Sequence, residues 1–196
     1  MIRKTYNIVA CASCGGGLFK TLLDNSSTSG YKVTKLIVNK DCGAVGIAQK
    51  YDVSTVIVPD KNNDNFVENF ISEIPLDTDL IVLAGYLPIL PQEICKQYHR
   101  KIINVHPSLL PKYGGKGMYG VKVQEAVMAN RERYGGCTIH YVSQFVDEGE
   151  IILQKEIEVD YTLTPWQFGG KVFEISTTAL IQAIRILLKD NYVTKS

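Results

Sequence analysis

Four short stretches carry residues suited to chemistry. In Asn104-Val105-His106-Pro107 an amide and an imidazole stand two positions apart. In an extended strand, side chains repeat every second residue, so Asn104 and His106 share a face. Side by side they form a pair of donors, an arrangement that stabilises a developing oxyanion. A lone histidine is commonly a satisfied structural residue. Its pairing with Asn104, ahead of Pro107 and of the glycine-rich run Gly114-Gly115-Lys116-Gly117-Met118-Tyr119-Gly120, points to function instead. About forty residues on stands Asp147, in Phe145-Val146-Asp147-Glu148-Gly149. A carboxylate beside His106 would orient the ring and support its charge. Alone, Asp-Glu-Gly reads as a turn.

The third stretch is Ser13-Cys14-Gly15-Gly16-Gly17. A glycine-rich turn between a first strand and a first helix offers backbone N–H groups to an anion, and the helix dipole adds to the attraction. The competing reading is a tight turn that needs glycine dihedrals. There is no G-x-G-x-x-G and no Walker lysine, so dinucleotide and P-loop binding are disfavoured. The fourth stretch, Ala84-Gly85-Tyr86-Leu87-Pro88-Ile89-Leu90, closes another strand. There a glycine admits a ligand, or simply marks a strand exit.

These residues need a frame. Valine- and isoleucine-rich runs at 6–12, 33–39, 54–58, 79–85 and 101–105 read as buried strands. Helical patterns at 18–24, 43–51, 66–74 and 91–98 lie between them, and the polar run 25–30 (NSSTSG) reads as a loop. Near-continuous apolar strands alternating with helices imply a parallel sheet covered on both faces, with ligands at the carboxyl ends of its strands. Beyond Gly120 the pattern changes. A helix is expected at 121–131, then strands at 137–143 and 151–159 with Asp147-Glu148-Gly149 in a tight connection. Thr164 and Pro165 suit the cap and first position of a last helix reaching about residue 188. The expected fold is α/β: a doubly wound, mostly parallel sheet flanked by helices, with an antiparallel strand pair in the C-terminal half. The whole of 1–196 reads as a single domain, with a phosphate-binding half at 1–100 and a second half at 101–190.

Bulk properties narrow the function. With 196 residues the chain can bury a sizeable core. Twenty-one basic and twenty acidic side chains nearly cancel, which disfavours nucleic acid as the main partner. The start, MIRKTYNIVACAS, carries an apolar run too short for a membrane span and no secretory cleavage pattern, so no membrane partner and a cytoplasmic location are expected. The five cysteines are odd in number and scattered, against a disulfide framework. Cys11 and Cys14 form a C-x-x-C without a second half. Cys11 reads as a strand residue and Cys14 as part of a turn, and no metal site is expected.

Together, Asn104-Val105-His106-Pro107-Ser108-Leu109-Leu110-Pro111, the Gly-Lys-Gly-Met-Tyr-Gly run and the later Asp147-x-Gly149 resemble the folate-dependent formyltransferases over almost the whole chain. The likeness is greatest to the short members that formylate glycinamide ribonucleotide in purine biosynthesis, with 10-formyltetrahydrofolate as co-substrate. The resemblance implies that Asn104 and His106 stabilise the oxyanion, while Asp147 pairs with His106 and helps move protons between the attacking amine and the leaving nitrogen. It further implies substrate contacts at Ser13, Gly15, Gly16, Gly17, Gly85, Val105, Pro107, Lys171 and Glu174. Folate contacts fall at Leu87, Ile89, Leu90, Val142, Phe145 and Val146. The chain departs from the family at Gly17, where a hydroxyl is usual, and at Leu18, where an amide is usual. It also has Asn65 near a usual basic position, and Pro88 in place of a longer side chain. A weakened phosphoribosyl end would suit another small amine, such as an amino sugar nucleotide. An inactive folate- or nucleotide-binding paralogue is a further alternative, and the missing G-x-G-x-x-G argues against a nucleotide-dependent oxidoreductase. The oligomeric state is open, a homodimer included.

Overall fold

A computed structural model describes residues 5–61 and 63–193, with side chains through 189. The basic residues at the start of the N-terminal stretch read above lie outside this range. The chain divides into two compact units, 1–104 and 105–196, so the boundary falls inside one strand.

The first unit carries β1 (Tyr6–Ala12), α1 (Gly17–Ser29), β2 (Tyr31–Val38), α2 (Gly43–Lys50), β3 (Ser54–Ile57), α3 (Phe66–Ser72), β4 (Leu80–Leu83), α4 (Gln92–Gln97) and the start of β5 (Ile102–His106). Its strands lie in the order β3-β2-β1-β4-β5, all parallel. Chain order runs outward from β1 to β3 and then jumps back to β4. With right-handed crossovers, this puts α1 and α2 on one face and α3 and α4 on the other. That explains why β1 and β4 are almost entirely buried and read as unbroken apolar runs. The order reverses between β1 and β4, the position where such sheets hold ligands. The register Leu83↔Asn104 brings Asn104 beside the end of β4.

α1 buries Leu18, Phe19, Leu22 and Leu23 on one stripe. Each such side chain contributes about 1.5–3 kcal/mol. The polar run expected as a loop is instead the last turn and a half of this helix. Asn25 Nδ2 donates to the Thr21 carbonyl at 2.9 Å, Ser26 Oγ to that of Leu23 at 2.8 Å and Thr28 Oγ1 to that of Asn25 at 3.3 Å. Side chains that favour turns here bond back along the helix, which ends only at Gly30, in the left-handed region at φ 78°.

The second unit holds α5 (Val121–Ala129), the antiparallel pair β6 (Tyr134–Tyr141) and β7 (Ile151–Glu158), and α6 (Pro165–Val193). The two faces of β6 do different work. Gly135 makes room for the Phe168 ring of α6, which packs on this strand. Gly136, on the opposite face, makes room for Leu109. α6 opens as expected: Gln167 N donates to Thr164 Oγ1 at 3.3 Å, and Thr164 N donates to Gln167 Oε1 at 2.9 Å. This reciprocal cap satisfies two otherwise free amides. The β6–β7 connection is not tight. It occupies residues 142–150, with Asp147 inside it. Among the described residues, no helix is long and apolar enough to cross a membrane.

Candidate active site

His106 ends β5 with 4% of its surface exposed. Its Nε2 lies 2.8 Å from the Tyr113 carbonyl oxygen. A carbonyl only accepts, so Nε2 carries a hydrogen. The other ring nitrogen, Nδ1, faces Asp147 Oδ2 at 3.4 Å. That same oxygen accepts the Gly115 N–H at 2.9 Å. The histidine and carboxylate, 41 positions apart in sequence, thus meet within one unit, and one loop holds both through Tyr113 and Gly115.

Local sequence explains the meeting. Thr138 Oγ1, on the face of β6 turned toward this loop, donates to the Ser108 carbonyl at 2.7 Å and accepts Leu110 N–H at 3.0 Å. Gln154 Nε2, from β7, donates to Thr138 Oγ1 and to the Leu110 carbonyl, both at 2.9 Å. Ser108 Oγ donates to the Lys112 carbonyl at 2.6 Å. The Ser-Leu-Leu-Pro segment is therefore mortised into the strand pair, which is why a polar Thr138 is fully buried. Tyr113 sits in the left-handed region at φ 57°, as does Asp147 at φ 59°. Backbone in that region costs about 1–3 kcal/mol per residue and is kept where the surroundings demand it. The Tyr113 hydroxyl donates to Glu132 at 2.9 Å, and burial together with that carboxylate pushes its pKa up to about 12. Gly114 has no room for a side chain, since a methyl would lie 2.5 Å from Leu110 and 3.2 Å from the Asp147 Cβ. Gly149 has none either, because a methyl would overlap the Tyr141 carbonyl oxygen. The Asp-x-Gly spacing thus reflects a connection that must pass hard against Tyr141 to return Asp147 to His106.

The sequence reading omitted His140. It is 2% exposed, and its Nε2 faces Asp147 Oδ1 at 3.7 Å. Burial lowers its pKa below the usual histidine value. The Tyr141 carbonyl and Asp147 oppose that shift, and His106 adds to it. Its position two residues after Thr138, on the same strand face, was the available signal. Tyr113 and Gly115 act through backbone atoms, which residue type does not reveal.

The remaining expected residues distribute as follows. In the first unit, Ser13 is buried, donates its N–H to the Gly85 carbonyl at 3.0 Å and accepts Leu87 N–H on its hydroxyl at 2.9 Å. It pins the end of β1 to the end of β4. Gly16, at φ 78°, precedes α1 with a notional Cβ 2.8 Å from Ala44 Cα, so only glycine fits. Gly15 and Gly17 are exposed, and the first turn of α1 has neither a side-chain cap nor an acidic residue. Leu18 is buried in the core. Gly85 takes φ 80° with open space around it. Leu87 and Ile89 are 48% and 58% exposed, while Leu90 is buried. In the second unit, the Pro107 carbonyl accepts Gln124 Nε2 at 2.7 Å, next to half-buried Val105. Phe145 is exposed beside half-buried Val142 and Val146. Lys171 Nζ lies 3.4 Å from Asp160, and Glu174 is exposed one turn further along α6. Cys11 is a buried strand residue and Cys14 an exposed turn residue, and the five cysteines are free thiols.

Residues 6–184 match the model of the family described as Formyl transferase. The chain is 30% identical over 191 residues to the chloroplastic phosphoribosylglycinamide formyltransferase of Vigna unguiculata, covering 92% of this chain and 60% of that protein. It is 34% identical over 159 residues to the phosphoribosylglycinamide formyltransferase of Haemophilus influenzae, covering 78% of this chain and 73% of that one. The crystal structure of phosphoribosylglycinamide formyltransferase from Anaplasma phagocytophilum superposes with a TM-score of 0.85 at 29% identity, over 95% of this chain and 89% of the other. The chain spans about 60% of the length of the plant relative.

Proposed function

The chain belongs to the formyl transferase family, and on that premise we propose that it transfers the formyl group of 10-formyltetrahydrofolate to the amine of glycinamide ribonucleotide, a step of purine biosynthesis. The observation that carries the reading is the His106–Asp147 pair at 3.4 Å, two strand positions beyond Asn104.

Attack of the amine on the formyl carbon leaves a negative oxygen and a positive nitrogen. The Asn104 amide donates to the oxygen, and His106 supplies the second donor when the Tyr113 carbonyl gives up Nε2–H. Asp147 accepts a proton from the attacking nitrogen and returns it to the leaving nitrogen of the folate. The substrate phosphate lies on the backbone amides of Gly15, Gly16 and Gly17, with Lys171 as counter-charge and Glu174 on the glycinamide. Ser13 shapes that turn through its bond to Leu87. Gly85, Val105 and Pro107 line the path of the amine. Exposed Leu87, Ile89 and Phe145, with the backbone of Leu90, Val142 and Val146, supply the apolar surface for the pteridine. Residues 1–100 bind the phosphate end and 101–190 carry the transfer, as one functional domain. A cytosolic location and a homodimeric state complete the proposal, checked by fractionation and by light scattering.

A specific observation favours one second reading. Leu18 is buried in the helix core and Gly17 has no side chain, so neither offers the side-chain phosphate contact usual in the family. Another small amine would suit such a loop. The test is a spectrophotometric assay of folate deformylation with and without glycinamide ribonucleotide. Dependence on the ribonucleotide is the expected result. Folate binding without that dependence sinks the substrate and keeps the formyl chemistry.

A further inference from the structure

Tyr113 is held at two points. Its carbonyl oxygen lies 2.8 Å from His106 Nε2, and its hydroxyl donates to Glu132 Oε1 at 2.9 Å. Glu132 follows the end of α5 and is itself tied down. Its N–H donates to the Val127 carbonyl at 3.3 Å, its own carbonyl accepts the Tyr161 hydroxyl at 2.7 Å, and Lys112 Nζ reaches both carboxylate oxygens at 2.8 and 3.1 Å. The lysine is exposed, so its ion pair adds little to that hold. The bond from the tyrosine is charge-assisted, the stronger kind, on a side chain only 24% exposed. The carboxylate stays ionised there, because Lys112 and the Tyr113 hydroxyl hold its pKa below the ordinary value. Close packing does not fix Tyr113 in place of that bond. The residue is half-buried and lines, with Leu109, Pro111, Val127 and Glu132, a groove of about 370 Å³. Its backbone stands in the left-handed region at φ 57°, which a tyrosine keeps only where its surroundings hold it.

The position of Tyr113 decides which nitrogen of His106 carries the hydrogen. A neutral ring has one hydrogen and here two neighbours that accept it, the Tyr113 carbonyl at Nε2 and Asp147 Oδ2 at Nδ1. The carboxylate is the stronger acceptor and competes for that hydrogen. The carbonyl prevails by distance, 2.8 Å against 3.4 Å, the latter too long for an ordinary N–H···O bond. A carbonyl drawn back to the same 3.4 Å would lose that advantage, and the hydrogen would pass to Nδ1. The transfer reaction proposed above needs it on Nε2, as the second donor to the oxyanion. We infer that Glu132 is a positioning residue for that reaction: through the Tyr113 hydroxyl it keeps the Tyr113 carbonyl against His106, and so keeps on Nε2 the hydrogen later offered to the oxyanion. This rests on the formyl-transfer reading. Glu132 acts only through Tyr113 and takes no part in making or breaking bonds.

The test combines kinetics of Glu132→Ala and Glu132→Gln with nitrogen NMR of the full-length protein. Wild-type His106 should show a hydrogen on Nε2 and none on Nδ1. Glu132→Ala should move that hydrogen toward Nδ1, keep KM for both substrates and lose about tenfold or more in kcat, since full loss of an oxyanion donor costs about a hundredfold or more. Glu132→Gln keeps an oxygen for the Tyr113 hydroxyl, so it should retain the wild-type nitrogen pattern and most of kcat. A purely structural role would lower Tm and leave the nitrogen pattern of the folded enzyme unchanged. Should Glu132→Ala fail to fold, Tyr113→Phe removes the same bond and should give the same shift. A folded Glu132→Ala or Tyr113→Phe with wild-type nitrogen shifts refutes the inference, as does a wild-type ring carrying its hydrogen on Nδ1. The NMR result holds whichever amine is the substrate. Failure of the ribonucleotide assay alone therefore removes the substrate reading and leaves this inference standing.

Discussion

Gly149→Ala probes the geometry that returns Asp147 to His106. An added methyl would overlap the Tyr141 carbonyl oxygen and lie 2.7 Å from its carbon. Carbon atoms in contact stay about 3.5–4.0 Å apart, so the connection must move outward by roughly 1 Å. That movement stretches the hydrogen bond from Tyr141 N to the Glu150 carbonyl at 2.9 Å. The bond is worth about 1 kcal/mol, and overpacking adds about 1–3 kcal/mol, for a total of about 2–4 kcal/mol. At about 2–4 °C per kcal/mol for a chain of this size, Tm falls by roughly 4–16 °C. Asp147, two residues upstream, shifts with the connection. A displacement of about 1 Å in the group proposed above to carry the proton costs about a hundredfold in rate. Scanning fluorimetry and steady-state formyl transfer read the two effects. A variant with Tm within about 2 °C of wild type and an unchanged kcat would show that Gly149 does not position Asp147.

Thr138→Val keeps the shape of a buried side chain but removes three hydrogen bonds to the 108–110 segment and Gln154. The unpaired Leu110 amide alone costs about 1–3 kcal/mol, so the urea midpoint should fall at constant m-value. Gly16→Ala combines an unfavourable φ of 78° with a methyl 2.8 Å from Ala44. It should lower Tm and weaken ribonucleotide binding, measured by calorimetry, more than Gly17→Ala does. The pH dependence follows from His140, whose folded pKa lies below its ordinary value of 6.5. Between the two values the unfolded chain binds more protons. Its contribution is therefore complete above about pH 6.5 and is lost as pH falls toward the folded value. Unfolding scans on the acid side should show this slope in wild type and lose it in His140→Leu.

Much of this was legible in the sequence because period and punctuation agree. The buried parallel strands read as unbroken apolar runs, and Thr164-Pro165 marked the last helix. His106 and Asp147 could be paired in advance because the motifs that carry them are specific, and the structure brings their side chains to 3.4 Å. Two features resisted. The polar run after Asp24 looks like a loop because Asn, Ser and Thr favour turns, and only their bonds back to Thr21, Leu23 and Asn25 make it helical. The contributions of Tyr113 and Gly115 come from a carbonyl and an amide, groups every residue carries, so no residue type announces them. His140 was visible as a strand residue on the face of Thr138, but its approach to Asp147 depends on the course of the 142–150 connection, which sequence alone does not display.

The mortise between Thr138, Gln154 and the Ser108–Leu110 backbone has a consequence for cooperativity. A surface loop ordinarily opens alone, at little free-energy cost, and its amides exchange quickly. Here Leu110 opens only when its bond to the strand pair is broken, so this part of the loop shares the fate of β6 and β7 as one folding unit. Gly117 and Gly120, a few residues on, carry no such tie among the described hydrogen bonds. Mutational tolerance should divide the same way. Insertions near 116–120 lengthen a free span, whereas a single residue gained or lost between 107 and 115 would pull the Tyr113 carbonyl off His106.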